Sequence, residues 1–158
     1  MTVILADLEL PSHQQAILRL LDMYCRDQFG AAKPLPRETS ERLIAGLKEA
    51  RGICFLAQEE TPAGPSEFIG LALCLPSFSS FRARPILNIH DIAVAPSHRG
   101  KGIGQALLQA VEEEARRRGC CKVTLEVRED NEVAKAAYRR AGFTSSEPET
   151  LFWGRELK

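Results

Sequence analysis

The sequence predicts a mixed α/β domain of the α+β type, with a six- to seven-stranded mixed sheet and about four helices on its two faces. Three observations carry that prediction. Helical and strand periodicities alternate along all 158 residues, with no internal repeat and no long linker. A strand, helix, strand unit runs from Ile86 to Val127, which favours two parallel strands joined by a right-handed crossover. Before it, two strand-like runs flank a short Pro/Gly stretch, the mark of an antiparallel hairpin.

"TVILAD" (2–7) reads as a short opening strand. In "PSHQQAILRLLDMYCRDQ" (11–28) Ile17, Leu20, Leu21 and Tyr24 recur at helical spacing, and Ser12 with Gln15 has the form of a capping box. The prolines of "AAKPLPRET" interrupt that pattern before a second helix, "SERLIAGLKEAR" (40–51), striped by Leu43, Ile44 and Leu47. "ICFLAQ" (53–58) and "EFIGLALCL" (67–75) are the two hairpin strands, joined by "EETPAGPS". "PSFSSFRARP" (76–85) is expected to be a polar loop carrying two aromatics, Phe78 and Phe81. "ILNIHDIAVA" (86–95) reads as a central strand. Regular alternation sets Ile86, Asn88, His90, Ile92 and Val94 on one face and Leu87, Ile89, Asp91 and Ala93 on the other. His90 and Asp91 are thus polar groups in mid-strand, pointing opposite ways.

"IGQALLQAVEEEARRR" (103–118) is a strong helix with Ile103, Leu107, Ala110 and Val111 on one stripe. Glu112, Glu113 and Glu114 each stand four residues before Arg116, Arg117 and Arg118, pairings worth about 0.2–0.5 kcal/mol apiece on a solvated helix face. Gly119 supplies the stop, "CCKVTLEV" (120–127) the next strand, and "NEVAKAAYRRAGF" (131–143) a further helix closed by Gly142. "ETLFWGREL" (149–157) alternates weakly and is expected to be a last strand.

Composition narrows the function. With 44% hydrophobic and 27% charged residues the chain has the balance of a soluble globular protein, and one domain spanning 1–158 buries a sizeable core. No apolar run reaches the roughly 20 residues of a membrane helix, and the N-terminus lacks the basic region of a secretory signal, so a cytoplasmic protein is expected. Twenty-one basic residues balance twenty-one acidic ones, leaving no global field to recruit nucleic acid or an anionic membrane. The five cysteines show no C-x-x-C and no Cys/His ligand spacing, which argues against a disulfide framework and against a bound metal.

The segment that needs a function is "HRGKGIG" (98–104), three glycines and three potential cations between a strand and a helix. A helix start exposes N–H groups with no intrahelical acceptor and about half a positive charge. Glycines there let several N–H groups converge on phosphate oxygens. A Walker A loop fails because Gly102 follows Lys101, and a G-x-G-x-x-G fingerprint fails because its last glycine falls on Gln105 or Leu107.

What remains is R-x-x-G-x-G: Arg99, Gly102 and Gly104. Here the chain resembles the GNAT superfamily of acetyl-CoA-dependent N-acetyltransferases. Downstream, Asn131, Ala134, Tyr138, Gly142 and Phe143 are similar to that family's second block, N-x-x-A-x-x-x-Y-x-x-x-G-F. The first 85 residues match only in the order of elements. The resemblance implies a GNAT fold with its acetyl-CoA-binding core at about 86–143. It implies that Arg99, Gly100, Lys101, Gly102, Ile103 and Gly104 hold the pyrophosphate, and that the strands bearing Ile92, Ala93 and Val94 and Thr124 to Val127 splay around the pantetheine arm. Asn131 and Ala134 would hold that arm from the following helix, and an N–H near Ile92 to Val94 would polarise the thioester carbonyl.

The implied reaction is direct attack by an amine, with acetyl-CoA as the acetyl donor, no metal and no acyl-enzyme. Because amines are mostly protonated at pH 7, a base is needed. His90 occupies a strand position where the family often has an acidic residue or histidine, and it is either that base or a core histidine. Asp91 is a structural acceptor on a regular strand; a β-bulge would reverse that reading. Tyr138 stands at the family's tyrosine position as the general acid, or packs on the core. For the acceptor, Asn88, Phe78, Phe81 and Arg82 are candidate contacts, with Phe152 and Trp153 of the C-terminal segment nearby. No acidic cluster precedes His90, giving little support for a polycation. A small-molecule amine is the expected substrate, with a protein N-terminus or lysine as an alternative, a non-catalytic CoA sensor as another, and a homodimer possible.

Overall fold

In the computed structural model, which describes residues 1–61, 64–146, 148 and 150–157, one five-stranded sheet carries helices on both faces. The elements are β1 (Thr2–Leu5), α1 (Pro11–Cys25), α2 (Arg37–Glu49), β2 (Ile53–Thr61), β3 (Gly64–Ser79), β4 (Arg84–Val94), α3 (Ile103–Arg117), β5 (Lys122–Leu125) and α4 (Glu132–Arg140). The strands lie in chain order across the sheet. β1 to β4 pair antiparallel, and β4 pairs parallel with β5 through the α3 crossover, as the strand, helix, strand unit requires.

Two apolar layers hold the sheet. Ile103, Leu107, Val111 and Ala115 of α3 pack on Phe55, Ile69, Cys74, Leu87 and Ile89, with Tyr138, Ala141 and Phe143 from the α4 region at the margin. On the other face Ile17, Leu20 and Leu21 of α1 and Leu47 of α2 cover Cys54, Leu56, Leu71 and Leu73. The helical stripes read from the sequence are therefore the core faces.

Four expectations are corrected. The sheet has five strands, not six or seven, because the C-terminal stretch forms none: 150–157 is irregular, with Leu151, Phe152 and Trp153 exposed, and residue 149 of the expected strand lies outside the described residues. The loop expected at 76–85 is mostly strand: β3 and β4 extend into a long hairpin whose turn is confined to residues 80–83. Ser12 is no cap; α1 begins at Pro11, and its first turn is fixed by Gln14 donating to the Leu8 carbonyl at 2.7 Å. Glu114 is buried rather than solvated: its side chain is 9% exposed and takes hydrogen bonds from both Arg117 and Arg118. The hairpin connection read at "EETPAGPS" includes residues 62 and 63, outside the described residues, although β2 and β3 pair as expected on either side.

Candidate functional site

β4 ends at Val94, a short 3₁₀ turn spans Pro96–His98, and the chain swings through Gly100 (φ +77°) and Gly102 (φ +81°) into α3. Both are left-handed conformations that a side chain resists. Arg99's amide donates to the Pro96 carbonyl at 3.3 Å, and the first helical bond is Ala106 to Gly102 at 3.1 Å. Between them, among the described residues, no protein group accepts from the amides of Gly100 to Gln105. A Cβ placed at Gly100, Gly102 or Gly104 would meet nothing within 4 Å, so the turn is open to solvent at all three glycines. Free amides at the start of a helix suit an anion.

Side chains around the turn hold it still. The Arg99 guanidinium donates to the Val94 carbonyl at 3.1 Å and to Asp27 at 2.9 Å, so it is pinned by protein groups. His98 is held between Ser97 (2.9 Å) and Glu59 of β2 (3.0 Å). Gln105 donates to the Ala137 carbonyl at 2.8 Å, fixing α4 beside the start of α3. Lys101 is exposed.

Next to this turn the sheet opens. β4 and β5 pair only as far as Ile89 and Leu125, while β4 runs on to Val94 and the chain after Leu125 leaves the sheet. Ala95 donates to the Ile69 carbonyl on the β3 side, so alternation aims the amides of Ile92 and Val94 at the open edge. Within β4 the register slips: Leu73 pairs with Asp91 and Cys74 with Ile89, leaving His90 unpaired as a β-bulge. The bulge overturns the regular alternation. Leu87, Ile89, Ile92 and Val94 all join the α3 layer, whereas Ala93 joins the α1 layer and Asn88 and Asp91 share its face. His90 is exposed and does not share a face with Ile92 and Val94 as expected.

The opening leads into a cavity of about 260 Å³ lined by Tyr24, Phe29, Glu126, Val127, Arg128, Asn131 and Tyr138. Burial holds the Asp91 carboxyl above the usual carboxylate range, with neighbouring His90 pulling the other way. Burial, then the charges of Asp91 and Asp27, raise Tyr24. Burial pushes the Tyr138 hydroxyl up to about 12. Asn88 donates to Thr124 Oγ1 at 3.1 Å and to the Glu126 carboxylate at 3.2 Å, anchoring that acid at the mouth. Arg128 pairs with Asp130 at 2.8 Å and lies 5.8 Å from the centre of the Phe29 ring. Asn131 caps α4, its Oδ1 accepting from the Ala134 amide at 3.1 Å, so only its Nδ2 is left to reach into the cavity. A larger hollow of about 610 Å³ runs past Arg128, Glu129, Asp130, Glu132 and Lys135; Arg128 pairs with Asp130 and Lys135 with Glu132, and Tyr138 is not part of its lining.

Not every expected residue comes to the cleft. Phe78, Phe81 and Arg82 sit at the far end of the β3–β4 hairpin. Asp91 lies seven positions along β4 from Arg84, roughly 23 Å of strand, and the hairpin tip lies toward the start of β5 and not its end. Phe152 and Trp153 lie exposed on the irregular C-terminal segment. Conversely, the sequence did not single out Tyr24, Asp27, Phe29, Gln105, Glu126 or Arg128 for the site. Tyr24 was legible as the last residue of the α1 stripe; the others carry no local signal.

Other chemistry has little support. Burial raises the Cys54 thiol strongly and the Cys74 thiol to about 12, so neither is a ready nucleophile. Among the described residues no group of three or more His, Cys, Asp or Glu is placed to hold a metal, and no helix is long and apolar enough to cross a membrane.

Comparison with known proteins agrees with this geometry. The model of the acetyltransferase (GNAT) family matches residues 17–143. An uncharacterized N-acetyltransferase, YhfO of Bacillus subtilis, is 32% identical over 132 residues, 84% of each chain. Streptothricin acetyltransferase of Streptomyces lavendulae is 49% identical over 67 residues, 42% of this chain, which spans only 34% of that protein. Among solved structures, a probable acetyltransferase superposes with a TM-score of 0.84 at 23% identity, covering 100% of this chain and 99% of the other. An aminoglycoside acetyltransferase from an uncultured soil metagenomic sample, solved with sisomicin, gives a TM-score of 0.80 at 18% identity, covering 99% and 96%. At those identities the two structures speak for the fold alone.

Proposed function

Because the chain belongs to the GNAT acetyltransferase family, matched over residues 17–143, we propose that it acts as one domain moving the acetyl group of acetyl-CoA onto the primary amine of a small molecule. The observation that carries this reading is the junction of two features. The sheet opens beyond Ile89 and Leu125, and the unpartnered amides of Gly100 to Gln105 stand beside the opening. The diphosphate of the coenzyme fits those amides, and the arm fits the gap where Ile92 and Val94 present their own N–H groups.

Acetyl-CoA supplies an activated thioester. The chain's residues hold it, polarise its carbonyl through the β4 amides, and move two protons. As the amine nitrogen bonds the carbonyl carbon and the carbon–sulfur bond breaks, one amine proton passes to Asp91, directly or through water, and the leaving sulfur takes a proton from Tyr138. Asp91 suits the first task because a carboxyl raised by burial is a stronger base than an exposed one. Tyr138 suits the second because at about 12 it stays protonated throughout the neutral range. Asp91 thus takes the role for which His90 was one of the sequence's candidates, because the bulge exposes His90 and leaves Asp91 half-buried beside it. The name of one relative favours a small acceptor: streptothricin acetyltransferase, 49% identical over 67 residues.

The test is release of free thiol from acetyl-CoA across a panel of primary amines, with CoA binding measured alongside. Turnover with an amine and a melting temperature raised by CoA are expected. Absence of CoA binding would remove the donor assignment; binding without turnover of any amine would favour a CoA sensor.

A further inference from the structure

The charges around the cleft do not cancel. Asp27 is paired with Arg99 and Asp130 with Arg128. That leaves Asp91 and Glu126, and among the described residues neither has a Lys or Arg within ion-pair distance. Glu126 is also held in place: Asn88 donates to its carboxylate at 3.2 Å while bonding Thr124 at 3.1 Å, so the acid is set before any ligand arrives. Glu126 lines the same cavity as Tyr24, Phe29 and Tyr138, so it faces the space an acceptor would fill. Asn88 and Asp91 pair with Leu75 and Leu73, two places apart on one face, which puts them about 7 Å from each other. The cleft therefore presents an anchored anion beside Asn88, on the face of β4 that also carries Asp91.

We infer that the acceptor is a diamine or larger polycationic amine, its second ammonium held by Glu126 while the reacting amine lies at Asp91. The inference rests on reading the cleft as the acyl-transfer site. No acidic cluster precedes His90 in the sequence. The second carboxylate comes from the end of β5, brought alongside Asn88 by the parallel pairing of β4 and β5.

The test is equilibrium titration of the CoA-loaded protein with α,ω-diaminoalkanes of three to six carbons and with the n-alkylamines of matching length. The best diamine should bind at least about fivefold more tightly than its alkylamine, the upper end of what an exposed ion pair gives, and the advantage should shrink as ionic strength rises. In Glu126→Gln the ratio of the two affinities should fall toward one, with the melting temperature of the CoA complex reporting an intact fold. Equal affinities in the wild type, or a Glu126→Gln change that weakens both amines alike, would overturn the inference. Failure to bind CoA would instead strike the acyl-transfer reading, and the same two amine series titrated on the free protein would still decide the role of Glu126.

Discussion

Asp91→Asn separates catalysis from stability, because the two should move in opposite directions. The carboxyl is partly buried between β3 and α1, with no Lys or Arg in ion-pair reach among the described residues, and burial is the main cause of its raised proton affinity. If it accepts the amine proton, the amide should cost about 10²–10⁴ in kcat/KM, or roughly 3–5 kcal/mol of transition-state stabilisation. Stability follows from linkage. A carboxyl raised in the folded state is neutral in both states below its ordinary value of 3.8, and the cost of burying its charge appears as pH rises through the raised value. The variant should thus melt like the wild type near pH 4 and above it at pH 8. A gain of about 1 kcal/mol corresponds to roughly 2–4 °C in a domain of this size. Thiol-release kinetics and melting curves at both pH values measure the pair. A variant within tenfold of wild-type activity, or one that loses activity and stability together at pH 8, would refute the reasoning.

Three further outcomes are expected. Gly102→Ala forces a side chain to φ +81° in the open turn, so stability should fall by about 1–2 kcal/mol and CoA affinity at least tenfold by calorimetry. Tyr138→Phe should lower kcat at least tenfold, while the wild-type kcat shows no alkaline loss from this group below about pH 11, its hydroxyl lying at about 12. Glu114→Gln should cost about 1–2 kcal/mol at pH 7. The Arg117 and Arg118 guanidiniums lower that carboxyl from 4.5 to about 2, so its contribution is complete above the ordinary value and lost as pH falls through about 2, where melts of variant and wild type should converge.

Much of this architecture was legible where local chemistry decides it. Gly100 and Gly102 take the left-handed conformations their residue type suggested, and Gly119 and Gly142 end α3 and α4 with positive φ as read. The strand, helix, strand unit gave the parallel β4–β5 pair; the opening begins only after Ile89 and Leu125, so Thr124 and Leu125, which the resemblance put at the splay, are still paired. The bulge at His90 was not legible, since nothing in "NIHDI" distinguishes regular alternation from a one-residue slip; register is fixed by which side chains the α3 layer accepts. That slip leaves His90 exposed and sets Asp91 on the α1 face. Phe78, Phe81 and Arg82 were misplaced for a topological reason, because a loop seen in sequence does not say which end of the sheet it caps. The groups brought together only by long-range pairing, Asn88 with Glu126 and Asp27 with Arg99, are invisible to any local pattern.

Backbone amide chemical shifts recorded during titration with CoA address the anion cradle itself. If the coenzyme's diphosphate is held by the turn after β4, the amides of Gly100 to Gln105 move together and saturate at one CoA per chain. Unmoved shifts across that stretch, in a protein that nonetheless binds CoA, would contradict the account.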